Sequence, residues 1–184
     1  MPIKTPICDF GKKAIPFELK STDKKILKLE NIKGENGTLI MFICNHCPYV
    51  KAVTKDILED CNNLKKLGIN SVAICSNDAV NYPKDSFENM IKFSNDNSFS
   101  FPYLVDETQE VAKSYDAVCT PDFFGYNKNL ELQYRGRIRE LKKLVPVRIG
   151  DSDLFHAMKQ ISETGEGPKE QIPSAGCGIK WKYD

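Results

Sequence analysis

The run Leu39-Ile40-Met41-Phe42-Ile43 passes directly into Cys44-Asn45-His46-Cys47-Pro48, and no other stretch restricts the fold as tightly. Five apolar residues without alternation, approached through Gly34 and Gly37, suit a short strand buried on both faces of a sheet. The period then changes. Val50, Val53, Ile57, Cys61 and Leu64 recur at spacings of three and four, and Gly68 offers a stop, so a helix begins near Pro48. Proline fits a first helical turn, where its missing N–H has no intrahelical partner.

Two cysteines at this junction have a chemical consequence. Thiols three residues apart at a helix start are close enough to close a small disulfide ring. The free N–H groups and positive dipole end there favour a thiolate, the nucleophilic form. His46, inside the ring, can stabilise that thiolate further, which favours the reduced form and makes the disulfide a better oxidant. A zinc site is the rival reading: Cys44, Cys47, His46 and Cys177 supply four donor residues. It is disfavoured because no second C-x-x-C or paired histidine motif accompanies the first, and His46 is confined between two would-be ligands.

The remaining chain alternates. Residues 8–32 read as short extended pieces, with Phe17 and Leu19 out of phase with Glu18 and Lys20. Residues 70–75 form a second buried strand, and Pro83 opens a helix carrying Phe87, Met90 and Ile91. Residues 101–105 are a brief strand. Asp106 with Gln109 reads as a capping box for a helix through Tyr115. Two extended segments flank Asn127-Lys128-Asn129 as a hairpin, and a last helix runs from about Ser152 to Thr164. This order predicts an α/β fold with helices on both faces of a sheet.

At 184 residues one core suffices, with residues 1–37 a β extension, 38–164 the core and 165–184 a tail. With 26 basic against 25 acidic residues the net charge is +1, which argues against a nucleic-acid or membrane partner. No signal-like apolar stretch opens the chain and no window nears the roughly 20 apolar residues of a membrane span. The expected compartment is the reducing cytoplasm, where seven cysteines do not form a static disulfide framework.

Three segments carry a family resemblance: residues 43–50, Cys119-Thr120-Pro121-Asp122-Phe123-Phe124, and Gly176-Cys177-Gly178-Ile179-Lys180-Trp181-Lys182. From about residue 8 to the end the chain resembles the peroxiredoxin-like, thioredoxin-fold proteins of the alkyl hydroperoxide reductase/thiol-specific antioxidant family. The resemblance implies a central mixed sheet flanked by helices. It also implies a cis Thr120-Pro121 bond whose backbone edge holds the substrate chain; an ordinary trans proline is the alternative. Two departures stand out. Thr38 occupies the position of the buried thioredoxin aspartate. Cys44 and Ile40 replace the threonine and proline of the peroxiredoxin Pro-x-x-x-Thr-x-x-Cys pattern, and Arg135, Arg137, Arg139 and Arg148 lie away from the position of its arginine.

Cys61 lies on a helix's apolar face; Cys8, Cys75 and Cys119 read as packed thiols. Cys177, flanked by glycines, has two readings: a third redox thiol brought to Cys44 or Cys47, or an incidental cysteine on a structural tail that docks through Ile179, Trp181 and Tyr183. His156 has no paired nucleophile. The expected activity is dithiol–disulfide exchange on protein or small-molecule disulfides. Cys44 would attack, Cys47 resolve and His46 tune, with an external thiol reductant and no bound cofactor or metal. The alternative is peroxide reduction at Cys47, with Cys44 or Cys177 resolving the sulfenic acid.

Overall fold

In the computed structural model, which describes residues 1–183, the buried run becomes the centre of a seven-stranded sheet. The first part of the chain forms β1 (Ile3–Lys4), β2 (Glu18–Ser21), β3 (Ile26–Lys28), helix α1 (Leu29–Ile32), β4 (Gly37–Phe42) and α2 (Pro48–Lys65). Next come β5 (Ile69–Cys75), α3 (Phe87–Asp96), β6 (Tyr103–Val105), α4 (Glu110–Ser114), β7 (Cys119–Thr120), β8 (Asp122–Tyr126) and β9 (Leu132–Arg135). Two short strands, β10 (Leu141–Lys142) and β11 (Val145–Pro146), precede α5 (Asp153–Thr164) and β12 (Ala175–Gly178).

The strand order is β3-β2-β6-β5-β4-β8-β9. β4 pairs parallel with β5 and antiparallel with β8, so the α/β expectation holds and the sheet is mixed. Every residue of β4 is buried, and its side chains alternate between two cores. Leu39 and Met41 join α2, α3 and α5 on one face through Val53, Ile57, Met90 and Met158. Ile40 and Phe42 join Phe17, Ala112, Tyr115 and Phe124 on the other. At Gly125 any side chain would collide with Met158 Sδ, 2.4 Å from its Cβ position, so glycine lets α5 close onto β8.

Three local expectations differ. Pro83 starts a single 3-10 turn over Pro83–Asp85, and the helix begins at Phe87 with Ser86 as its cap, accepting from Asn89 N. Asp106 does cap α4, accepting from Val111 N and Ala112 N, but Gln109 does not complete a box. It adopts a left-handed backbone and its amide reaches the C-terminal segment instead. The hairpin between β8 and β9 is wider than three residues because Asn127 Oδ1 accepts from both Asn129 N and Glu131 N. No helix among the described residues is long and apolar enough to cross a membrane.

Candidate redox site

β4 delivers Cys44 and Cys47 to the head of α2, where Cys47 is the N-cap and Pro48 the first helical residue. Both thiols are sealed, at 1% and 0% exposure. The Thr120-Pro121 bond is cis, as the resemblance implied, and Thr120 lies against both sulfurs. As a thiol, Cys47 Sγ donates to Thr120 O at 3.2 Å, and Cys44 Sγ is 3.4 Å from Thr120 Oγ1.

The environments of the two cysteines push them apart. The hydrogen bond from Cys44 is the largest influence on Cys47, bringing it down to about 4 against the opposing effect of burial, with Thr120, the Val50 N–H and Cys177 helping. Cys44 moves far upward because it is the donor in that bond, because it is buried, and because Asp85 is near. In this arrangement the two thiols shift in opposite directions, Cys47 down and Cys44 up.

Asp85 was invisible in the sequence. Its side chain is fully buried at the end of the 3-10 turn and gathers the loop between the cysteines. Asn45 N and Asn77 Nδ2 each donate to it at 2.8 Å. His46 Nδ1 approaches Asp85 Oδ2 at 2.6 Å, off the axis of a well-aligned hydrogen bond. Tyr103 Oη donates to Asn45 Oδ1 at 2.8 Å, so Asn45 anchors the loop. Tyr82 lies parallel to the His46 ring. No motif announces an acid that far along the chain; only the return of the chain beside β5 brings it in.

The four-residue zinc set disfavoured from sequence does not come together among the described residues, because His46 turns to Asp85. Cys44, His46 and Asp85 do place one donor atom each within 4.8 Å of one another. The 2.6 Å His46–Asp85 contact, however, is closer than two ligands on one tetrahedral zinc, about 3.3 Å apart for bonds of about 2.0 Å. As arranged, the trio is a histidine–carboxylate contact beside a thiol rather than a tetrahedral ligand set.

Cys177 arrives on β12, which pairs antiparallel with β7 so that Cys177 faces Thr120. It packs against the cluster that holds Cys44 and Cys47, across the same Thr120 that Cys47 contacts. Gly176 permits the approach, since a Cβ there would lie 1.8 Å from Thr120 O. The backbone edge beside Pro121, expected to hold a substrate chain, is thus occupied by the protein's own strand. β1 pairs with β12 on its other side, and Ser174 Oγ donates to Pro121 O at 2.7 Å. Beyond β12, Gln109 donates to Ser76 O and Lys180 O and accepts from Lys182 N, while Asn77 accepts from Lys180 N. Ile179 and, in part, Trp181 dock as expected, but Tyr183 is exposed.

The other cysteines are held as thiols. Burial pushes Cys8, Cys61 and Cys75 up to about 12, and moves Cys119 further still. His156 is exposed on α5. All four arginines are engaged away from the sulfurs: Arg135 with Asp122, Arg137 with Asp153, and Arg139 and Arg148 with Asp56. Arg135 stacks over Phe124, on the sheet face opposite α2.

No curated protein matches the chain. Among solved structures, an uncharacterized conserved protein from Geobacillus kaustophilus is 41% identical over 100% of this chain and 98% of its own, with a TM-score of 0.94. A hypothetical protein from Sinorhizobium meliloti 1021 is 31% identical over 100% of both chains, at a TM-score of 0.90. The thioredoxin domain of a thiol-disulfide oxidoreductase from Bacteroides vulgatus, 16% identical over 68% of this chain and 86% of that one, shares the fold at a TM-score of 0.58. The mixed sheet, the cis-proline beside the cysteine-bearing helix and a family model spanning residues 10–141 agree, and the chain belongs to the AhpC/TSA family.

Proposed function

We propose that the protein is a thiol–disulfide oxidoreductase in which Cys44 and Cys47 pass between dithiol and disulfide. The observation that carries this reading is the placement of the pair: both sulfurs stand at the head of α2 against Thr120, beside a cis proline. Membership of a thiol-redox family supports it. The Cys47 thiolate attacks an incoming sulfur and expels a thiolate. Cys44 then attacks Cys47 and closes the ring, its proton passing to the sulfur it displaces. Thr120 holds both sulfurs, Asp85 fixes His46 and the loop, and an external thiol reductant reopens the disulfide.

Peroxide reduction at Cys47 is the second reading, favoured by the same thiolate. It lacks an arginine to polarise the peroxide, since each of the four is paired with a carboxylate elsewhere. Parallel turnover of a disulfide and of hydrogen peroxide by the wild type, C44S and C47S separates the two. Disulfide turnover that needs both cysteines supports the first. Peroxide consumption by C44S, with sulfenate trapped on Cys47 and no disulfide exchange in the wild type, overturns it.

A further inference from the structure

Cys44 and Cys47 are sealed from solvent, whereas Cys177 is part-exposed while it packs against their cluster, opposite the Thr120 that Cys47 contacts. A substrate polypeptide cannot pair with Thr120, because β12 already does, pinned by β1, by Ser174 and by the Gln109 clamp. With the edge filled and the inner sulfurs covered, the open route into the centre runs through the part-exposed thiol. The surroundings also select what arrives. Lys180, whose charge acts on Cys177, donates to Gly178 O at 2.8 Å and lies over Tyr82, and with Tyr82, Trp181 and Lys182 it lines a cavity of about 590 Å³ next along the chain from β12. Among the described residues its lining holds two lysines against one carboxylate, Asp78, which is turned to Val80 N and both nitrogens of Asn81. A small molecule carrying carboxylates fits such a cationic rim better than a neutral or basic one.

We propose that Cys177 is the port thiol of the site, reacting first with a small anionic disulfide and passing oxidation inward to Cys47 and then to Cys44. This rests on the dithiol reading above and gives it an entry and a substrate class. The exchanges balance. Cys177 loses its proton to solvent and attacks the disulfide RSSR, forming Cys177–SR and releasing RS⁻, which takes up a proton from solvent. The Cys47 thiolate attacks the Cys177 sulfur, forming a Cys47–Cys177 disulfide and releasing a second RS⁻. Cys44 attacks Cys47, forming the Cys44–Cys47 disulfide, and its proton goes to the departing Cys177. One RSSR is reduced for each dithiol oxidised.

The test uses the reduced full-length chain in a C8S background, with glutathione disulfide as probe and mass mapping of quenched samples. C47S should trap glutathione on Cys177, and C177S should form the Cys44–Cys47 disulfide at least tenfold more slowly. K180E should slow oxidation by glutathione disulfide severalfold while leaving oxidation by the dicationic cystamine undiminished. Brief, limiting iodoacetamide on the otherwise wild-type chain should mark Cys177 before Cys44 or Cys47, a readout that needs no redox-site variant to fold. Glutathione trapped on Cys44, an unchanged rate in C177S, or first labelling of the inner pair overturns the port. An equal effect of K180E on both probes overturns the anionic class. If the Cys44–Cys47 disulfide never forms, even at equilibrium in the chain with all three thiols, it is the dithiol reading that fails.

Discussion

Asp85 meets His46 at 2.6 Å inside the ring between the two cysteines, although the two residues come from different loops. The carboxylate is fully buried, and with Asn45 N and Asn77 Nδ2 it leaves no freedom in the segment that sets the sulfur positions. Its negative charge also opposes ionisation of Cys44, after the larger effects of the Cys47 hydrogen bond and burial.

Asp85→Asn should therefore narrow the gap between the two thiols. Cys44 ionises more easily once the neighbouring charge is gone, the reduced form gains, and the dithiol equilibrium with glutathione shifts severalfold toward reduced protein. The Asn77 amide then faces another amide, and folding stability drops by about 1–3 kcal/mol. Redox titration against glutathione buffers and urea unfolding read the two effects separately. An unchanged titration would remove Asp85 from any role in tuning the pair.

Gln109→Ala removes the contacts to Ser76 O, Lys180 O and Lys182 N at one stroke. The cost should be about 1–3 kcal/mol, and it should be local: amides of residues 177–182 exchange faster while those of β4 and β5 do not. Hydrogen exchange resolved by segment is the check. Uniform acceleration across the sheet would mean that Gln109 supports the whole fold and not the tail.

What the sequence revealed follows the range of the interactions involved. The β4–α2 junction was legible because burial and helical period are local patterns, and so was the covered position of Cys61 on α2. The cis Thr120-Pro121 bond was reached through family resemblance, since proline alone does not fix the isomer. Asp85 was missed because it reads as a surface residue after Pro83, and only the packing of that turn against the Cys44–Cys47 loop buries it. Gln109 was misassigned because its spacing from Asp106 matches a capping box, while its amide answers the C-terminal backbone, more than seventy residues away. The meeting of β12 with β7 is likewise non-local. Glycines around Cys177 hinted at an unusual path but not at its destination.

Arg135 and Asp122 form a buried pair on the sheet face away from the sulfurs, with Arg135 also donating to Asp116 O at 2.8 Å. Arg135→Met should cost on the order of 3–5 kcal/mol, because it strands a buried carboxylate, and adding Asp122→Asn should recover much of that loss. Denaturant unfolding of the two variants measures it. Disulfide turnover per folded molecule should be unaffected, in contrast to any scheme that places this arginine at the thiolate.

The Cys47 thiolate also makes stability depend on pH in a way confined to the reduced protein. A folded value of about 4, against an ordinary thiol value of 9.0, means that the folded state binds fewer protons between those limits. Its contribution is full above the unfolded value and is lost as pH falls through about 4. Asp60 works in the opposite direction: burial raises it to about 7 despite its bond from Ser152, so its share of stability is full near pH 4 and declines as pH rises toward 7. The two overlap in any single unfolding curve, but Asp60 is present in both redox forms and the thiolate in only one. Subtracting the thermal midpoint of the oxidised protein from that of the reduced protein should cancel Asp60. The difference should climb by several degrees from pH 4.5 to pH 7.5 in favour of the reduced form. In C44S, where Cys47 loses its main hydrogen-bond donor, the midpoint should rise less steeply over this range than it does in reduced wild type. A difference that stays flat with pH would place the charge elsewhere than on Cys47.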